Sequence, residues 1–473
     1  MAFWLSLKGG GCAVHKAAKL YALLGVLAIL CVCVFAVSQH QEKKEQIKTM
    51  GTAILEIPTE DVTNVTWVND EGSFSFSKAD TWTYDDDEAF PVDSEAIENL
   101  LSQFQSFRAA FSIENVEDFA QYGLDAPCGS ISVTASGQTY TLELGDYSKM
   151  DQQRYLTLGD GTVYLAEHDP LDEFSAVAQD MILNDALPAF DTAEEITFTG
   201  AESCTVTRNE EEKSLCASDA YFTDGKPLDT SLVSSYLTTL KGVSLTNFVT
   251  YNATADELTA YGMDNPTLTV EVRYSGDTTG SFQLHLSQNV KELEAYQKAE
   301  EEGTTLPTVT CYARLGDSQI VYEIPQSTYQ ALTAASYNDL RHQKLFTGEF
   351  STVTAMDVTL DGQEYSFICQ EAEEKDAEST WLYNGTEFAV YSLRTALCSM
   401  GASAFTGDEP AGQEEISVTL HLDNEDFPTF TLTLYRHNGS TCLASVDGSP
   451  IAYVQRTQAV DLIEAVNQVI LGS

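Results

Sequence analysis

Phe119-Ala-Gln-Tyr-Gly-Leu-Asp-Ala-Pro127 returns 139 residues later as Leu258-Thr-Ala-Tyr-Gly-Met-Asp-Asn-Pro266. Each stretch reads as a short helix closed by a glycine free to adopt positive φ. A buried apolar residue follows, then a proline that holds its predecessor extended and launches a strand. A repeat at so long a period marks a module used more than once. The stretch is read as punctuation of the fold rather than as a binding motif.

The flanks repeat with it. Pro91-Val92-Asp93 opens a helix with Ile97, Leu100, Leu101, Phe104 and Phe107 on one face, and Pro227-Leu228-Asp229 opens another with Val233, Tyr236, Leu237, Leu240 and Val243 at the same offsets. The period is helical, and each Asp is placed to cap the free N–H groups. Thr162-Val163-Tyr164 and Ile320-Val321-Tyr322 end strands that lead through Pro170 or Pro325 into a second helix. A degenerate third copy is legible where Thr81-Trp82-Thr83-Tyr84 matches Thr380-Trp381-Leu382-Tyr383, with Pro91 or Val390 nine residues after the Trp. Cys311 and Cys442 each stand eleven residues before a Tyr, and a final helix runs through Val460, Ile463 and Val466. Between helices, alternating runs such as Ser130-Ile-Ser-Val133 and Thr269-Val-Glu-Val272 predict half-buried antiparallel strands.

The expected fold class is α+β: an N-terminal transmembrane helix followed by three tandem repeats of an antiparallel-sheet-plus-two-helix module. The expected boundaries are a cytoplasmic tail 1–19, a transmembrane helix 20–38, a linker 39–52, and modules 53–190, 191–347 and 348–473, the last degenerate. Val290 to Gly303 belongs to the second module alone and has the composition of a solvated helical arm, with partner contact as its functional alternative.

Leu20 to Val37 is an 18-residue run without a charge. At about 1.5 Å per residue, a helix of that length approaches the hydrocarbon core of a bilayer. Lys8, Lys16 and Lys19 precede it with no acidic residue, whereas Lys43, Lys44 and Lys48 behind it are mixed with Glu42 and Glu45. The positive-inside rule then leaves the N-terminus in the cytoplasm and the body outside. The rival reading is a cleaved signal peptide ending near Ala36-Val37-Ser38, but the apolar run is long for one.

The 473 residues carry 24 Lys and Arg against 72 Asp and Glu, a net charge of -48, which excludes nucleic acid as a partner. With 43% hydrophobic residues the charge must coat folded modules. The sequence carries no signal for an oligomeric state. Of ten cysteines, Cys12, Cys31 and Cys33 lie in or before the apolar run, and no spacing among the rest reads as a metal site. Cys204 and Cys216 flank the acidic turn Asn209-Glu210-Glu211 and are expected opposite each other on paired strands, either bridged or as two small buried hydrophobes.

Catalytic markers are sparse. Gly-x-Ser-x-Gly, His-Glu-x-x-His and Gly-x-x-x-x-Gly-Lys are missing from the sequence. Ser75-Phe-Ser-Lys78 has Ser-x-x-Lys spacing but sits in a strand-like stretch without Lys-Thr-Gly. The runs Asp85-Asp86-Asp87-Glu88 and Asp423-Asn424-Glu425-Asp426 offer carboxylates for calcium without its loop pattern. No catalytic, cofactor-binding or metal residue is assigned, and no cofactor is expected.

With the apolar run, the Tyr-Gly-Leu-Asp-x-Pro stretch and the Trp-to-Pro helix opening in hand, the chain resembles a bacterial family of unknown function. Its members are single-pass envelope proteins often encoded beside ABC-2 type transporters similar to the gliding-motility export system. The resemblance covers residues 20 to about 347. It implies a membrane-anchored, non-enzymatic extracytoplasmic subunit whose partners are the membrane and an ABC transporter permease. The alternative class is an envelope hydrolase or a carbohydrate- or peptidoglycan-binding protein, favoured by abundant carboxylates and aromatics.

Overall fold

The computed structural model describes residues 51–114, 116–370 and 379–472. The chain divides between Asn184 and Asp185 into two compact units. The first is built on one nine-stranded sheet, residues 52–166. The second holds two, residues 192–324 and 353–455.

All three sheets share one order over eight of their nine strands. Across the middle sheet lie Phe248–Thr250, Val321–Ile324, Cys311–Leu315, Gly280–Gln288, Leu268–Ser275, Thr192–Gly200, Cys204–Arg208, Tyr221–Thr223 and Lys226–Pro227. The last sheet repeats this sequence of neighbours from Ala404–Phe405 to Thr386–Phe388. The first sheet lacks a counterpart of Lys226–Pro227 and gains Thr52–Leu55 outside Phe107–Ile113. The pairs are antiparallel, and alternation explains them: Leu268, Val270, Val272 and Tyr274 are buried on one face, with Thr269, Glu271 and Arg273 between them on the other.

The helix Ser94–Ser102 buries Ile97, Leu100 and Leu101, and Thr230–Lys241 buries Val233, Tyr236, Leu237 and Leu240. Asp93 accepts from the amides of Glu95 and Ala96, and Asp229 from that of Ser231, so both helices begin on a carboxylate cap. The two punctuation stretches end alike, although the first enters through the 3-10 turn Ala120–Tyr122 and the second through the α-helix Ala255–Ala260. Gly123 and Gly262 take φ of 68° and 70°. Leu124 N donates to Phe119 O and Met263 N to Leu258 O, at 3.1 and 2.7 Å. Tyr122 packs on Tyr155 and Tyr261 on Tyr312, with centroids 5.0 and 4.9 Å apart.

The expected α+β class is overturned: the described chain is mostly β-sheet with few helices, and the repeated unit is not a sheet plus two helices. The closing helix is the clearest departure, with four residues in Leu171–Phe174, eight in Gln326–Thr333 and fifteen in Arg456–Ile470. In the first copy Trp67 Nε1 donates to Ala176 O (2.7 Å), and Asn69 Nδ2 donates to the carbonyls of Phe174 and Ala176. Carbonyls that a longer helix would use are thus taken by side chains of a neighbouring strand. The last sheet has nine strands even though its sequence motifs are worn.

Among the described residues no helix is long and apolar enough to cross a membrane. The tail 1–19, the expected transmembrane helix 20–38 and the linker up to residue 50 lie outside the described residues.

Candidate functional site

In the middle sheet, strands Cys204–Arg208 and Tyr221–Thr223 are joined by residues 209–220, whereas the equivalent strands of the first sheet, Gly72–Lys78 and Trp82–Tyr84, are joined by residues 79–81. The longer loop closes on itself. Asn209 N donates to Ala220 O (2.9 Å), Asp219 N to Cys216 O (3.0 Å), and Ser214 Oγ to the Asp219 carboxylate (2.7 Å). Closure buries the Asp219 side chain to 2% exposure. A carboxylate so buried needs partners, and His342 supplies one: its Nε2 lies 2.8 and 3.0 Å from the two Asp219 oxygens. The other ring nitrogen, Nδ1, lies 3.5 Å from Asp229, the cap of Thr230–Lys241.

His342 belongs to Arg341-His342-Gln343-Lys344, which follows the single helical turn Tyr337–Leu340. Arg341 is half-buried between two rings, its guanidinium carbon 4.7 Å from the Tyr337 centroid and 4.2 Å from that of Phe405. Lys226 Nζ stands 5.3 Å from the centroid of the same Tyr337 ring. Among the described residues no carboxylate reaches ion-pair distance of Arg341, Lys226 or Lys344. Burial presses the Arg341 guanidinium below its ordinary pKa, with the Tyr337 hydroxyl opposing that shift.

These groups wall a cleft of about 390 Å³ between the middle and last sheets, within the second unit. Its apolar side is formed by Leu215, Phe405, Phe427, Phe430 and Ile451. Lys213, Lys226, Arg341 and Lys344 line it against one carboxylate, Asp447; Lys213 is already paired with Asp426 at 2.8 Å, which leaves three cations to one acid. In a chain with three acids for every Lys or Arg, that inversion of charge is local and specific.

Among the described residues, one donor set could hold a metal: Cys216 Sγ, an Asp219 oxygen and a His342 nitrogen lie within 4.8 Å of one another. It is a set zinc accepts, but Asp219 and His342 already hold each other, and Cys216 shares a hydrogen bond with Ser218 Oγ (3.1 Å). Because both imidazole nitrogens face carboxylates, His342 is oriented to anchor the loop and not to activate the thiol.

The residues weighed from the sequence fall elsewhere, or apart. Cys204 lies on its strand opposite Phe198, but Cys216 sits in the 209–220 loop, and both are free thiols. The expected facing pair is corrected because the hairpin turns through twelve residues rather than at Asn209-Glu210-Glu211. Ser75 bonds Asp85 while Lys78 pairs with Glu98 at 3.0 Å. Three residues apart on one strand, the two side chains leave opposite faces. Asp85, Asp86 and Asp426 are each held separately, by Ser75, Tyr84 and Lys213. The arm Val290–Glu302 is a helix with no buried residue. Sequence reasoning passed over the cleft, whose lining residues are scattered from 213 to 451. The signal available was Arg341 to Lys344, two cations and a histidine in four residues of a strongly acidic chain.

Two overlapping stretches, residues 82–266 and 221–424, match one family, described as a domain of unknown function (DUF4340). Each match begins at the strand before a capped helix, Trp82–Tyr84 or Tyr221–Thr223, and runs well into the following sheet. No curated protein matches the chain, and no solved structure does.

Proposed function

The chain belongs to the DUF4340 family, and from that premise we propose that it is a non-catalytic accessory subunit of the cell envelope, tethered by its N-terminal apolar run and working beside an ABC-type transporter permease. The observation that carries the reading is the chemistry of the cleft. Where side chains of unlike kind converge, they are cations and rings, groups that hold a ligand, and the one histidine among them is occupied by two aspartates. Tandem use of one sheet favours the same reading, because repeated modules extend a binding surface. The lysine bias around Leu20 to Val37 supports a body on the outer side, and a tether raises its effective concentration near a permease.

Crosslinking in native membranes is expected to capture a permease. Deleting residues 53–473 is expected to impair export while leaving the ATP-binding subunit intact. A purified body that hydrolyses a glycan or peptide, and loses that activity when one carboxylate or serine is changed, would replace the accessory reading with an enzyme.

A further inference from the structure

We propose that the cleft between the middle and last sheets is a binding site for a small organic anion, an acidic headgroup on an apolar or aromatic body. The inference goes beyond the accessory role and does not depend on the transporter.

Three observations meet here. The first is unspent charge. Arg341 is half-buried, stacked on Tyr337 and Phe405, and no described carboxylate or carbonyl accepts from its guanidinium. Removing a charge from water without a counterion is costly, and stacking on ring faces returns only part of that cost. An anion in the cleft would supply the missing acceptors, and a guanidinium fork suits a sulfonate, phosphate or carboxylate. The second is that charge and apolar surface are arranged side by side. Lys226 and Lys344 border the headgroup position, while Leu215, Phe427, Phe430 and Ile451 form a wall for an apolar body. The third is size: about 390 Å³ lies in the range of small-molecule pockets.

The site is built by features that the first copy lacks. The 209–220 loop contributes Lys213 and Leu215, and its shape is fixed by the buried Asp219 held between Ser214 and His342. His342 thus acts as a positioning residue: it ties the loop to the segment that carries Arg341. At long range the net charge of -48 repels anions, so anion selectivity must arise within a Debye length, about 8–10 Å, of these cations.

The test is calorimetric titration of the full chain with naphthalene sulfonate and, separately, with the uncharged naphthalene sulfonamide of nearly the same shape. The sulfonate is expected to bind with unit stoichiometry and about tenfold or more tighter than the sulfonamide. Arg341→Gln and Lys344→Gln should each erode that preference, while Lys298→Gln, on the exposed arm, should leave it unchanged. Phe430→Ala should weaken both compounds alike. Lys344 is exposed, so its variant decides the matter even if Arg341→Gln fails to fold. Equal affinity for the two compounds, no binding of the sulfonate, or a preference untouched by Lys344→Gln would overturn the assignment.

Discussion

The first and middle copies can be compared at one point, the segment that closes each module beneath its capped helix. Asp93 N donates to Met181 O in the first copy and Asp229 N donates to Leu340 O in the second, at 2.8 and 2.9 Å. The residues that follow are therefore equivalent: Ile182-Leu183 in one, Arg341-His342 in the other. Ile182 is buried and bridges to Val92. Its counterpart is a guanidinium facing a cleft. A backbone held by the same hydrogen bond thus ends one module in core and the other in a charged site. The side chains, together with the longer 209–220 loop, make the difference.

The largest expected effect comes from forcing the first copy to imitate the second. Ile182→Arg buries a guanidinium with no ring pair or cleft to receive it, and should cost about 3–5 kcal/mol. That would lower the melting temperature of the first unit by on the order of 10 °C. The converse, Arg341→Ile, should cost no more than about 1 kcal/mol, because an apolar residue replaces an unpaired charge. Thermal unfolding followed by circular dichroism would show the asymmetry, and similar costs for the two would break the comparison.

Next in size is Asp219→Ala, which leaves Ser214 and His342 without their buried partner and should cost about 2–3 kcal/mol in urea unfolding. Asp93→Ala, which removes only a helix cap, should cost about 1 kcal/mol. Equal losses would mean that the loop closure contributes nothing.

Smaller again is the contrast between Gly123→Ala and Gly262→Ala. Both positions hold positive φ, a strain of roughly 1–2 kcal/mol for a residue with a Cβ. At Gly123 the added carbon would also stand 2.6 Å from the Asp146 carboxylate, against 3.1 Å from Gln288 O at Gly262. Gly123→Ala should therefore be the more destabilising in matched denaturant curves.

Near neutral pH the smallest effect belongs to the equivalent cysteines Cys311 and Cys442, whose contribution shows only in alkali. Burial raises both, and at Cys442 a hydrogen bond to Glu415 adds to it, pushing the thiol up to about 12 from 9.0. The folded state therefore keeps a proton that the unfolded chain releases. The contribution is full below about pH 9 and is lost as pH rises from 9 toward 12. Under reducing conditions, Cys442→Ala should flatten the alkaline decline in stability. An unchanged decline would remove Cys442 as its source.

Repetition was legible in the sequence because turns impose residue type: Gly123 and Gly262 are needed for positive φ, and Asp93 and Asp229 for capping. Helix content was not. Leu171 to Ala178 has apolar residues at helical spacing, but Trp67 and Asn69, a hundred residues away, take its carbonyls. Very short strands such as Lys226–Pro227 and Ala404–Phe405 have no alternation to read. The cleft was illegible for another reason. Its charge inversion arises in space, from Lys213, Lys226 and Arg341 converging, and only Arg341 to Lys344 left a trace in the order of residues.

Hydrogen–deuterium exchange of the full chain, with and without naphthalene sulfonate, tests most directly the claim that one copy of a repeated fold has become a binding site. Added protection is expected at residues 209–220 and 337–347 and none at residues 178–184, the matching segment of the first copy. Protection at residues 178–184 equal to that at residues 337–347, or none at either, would contradict it.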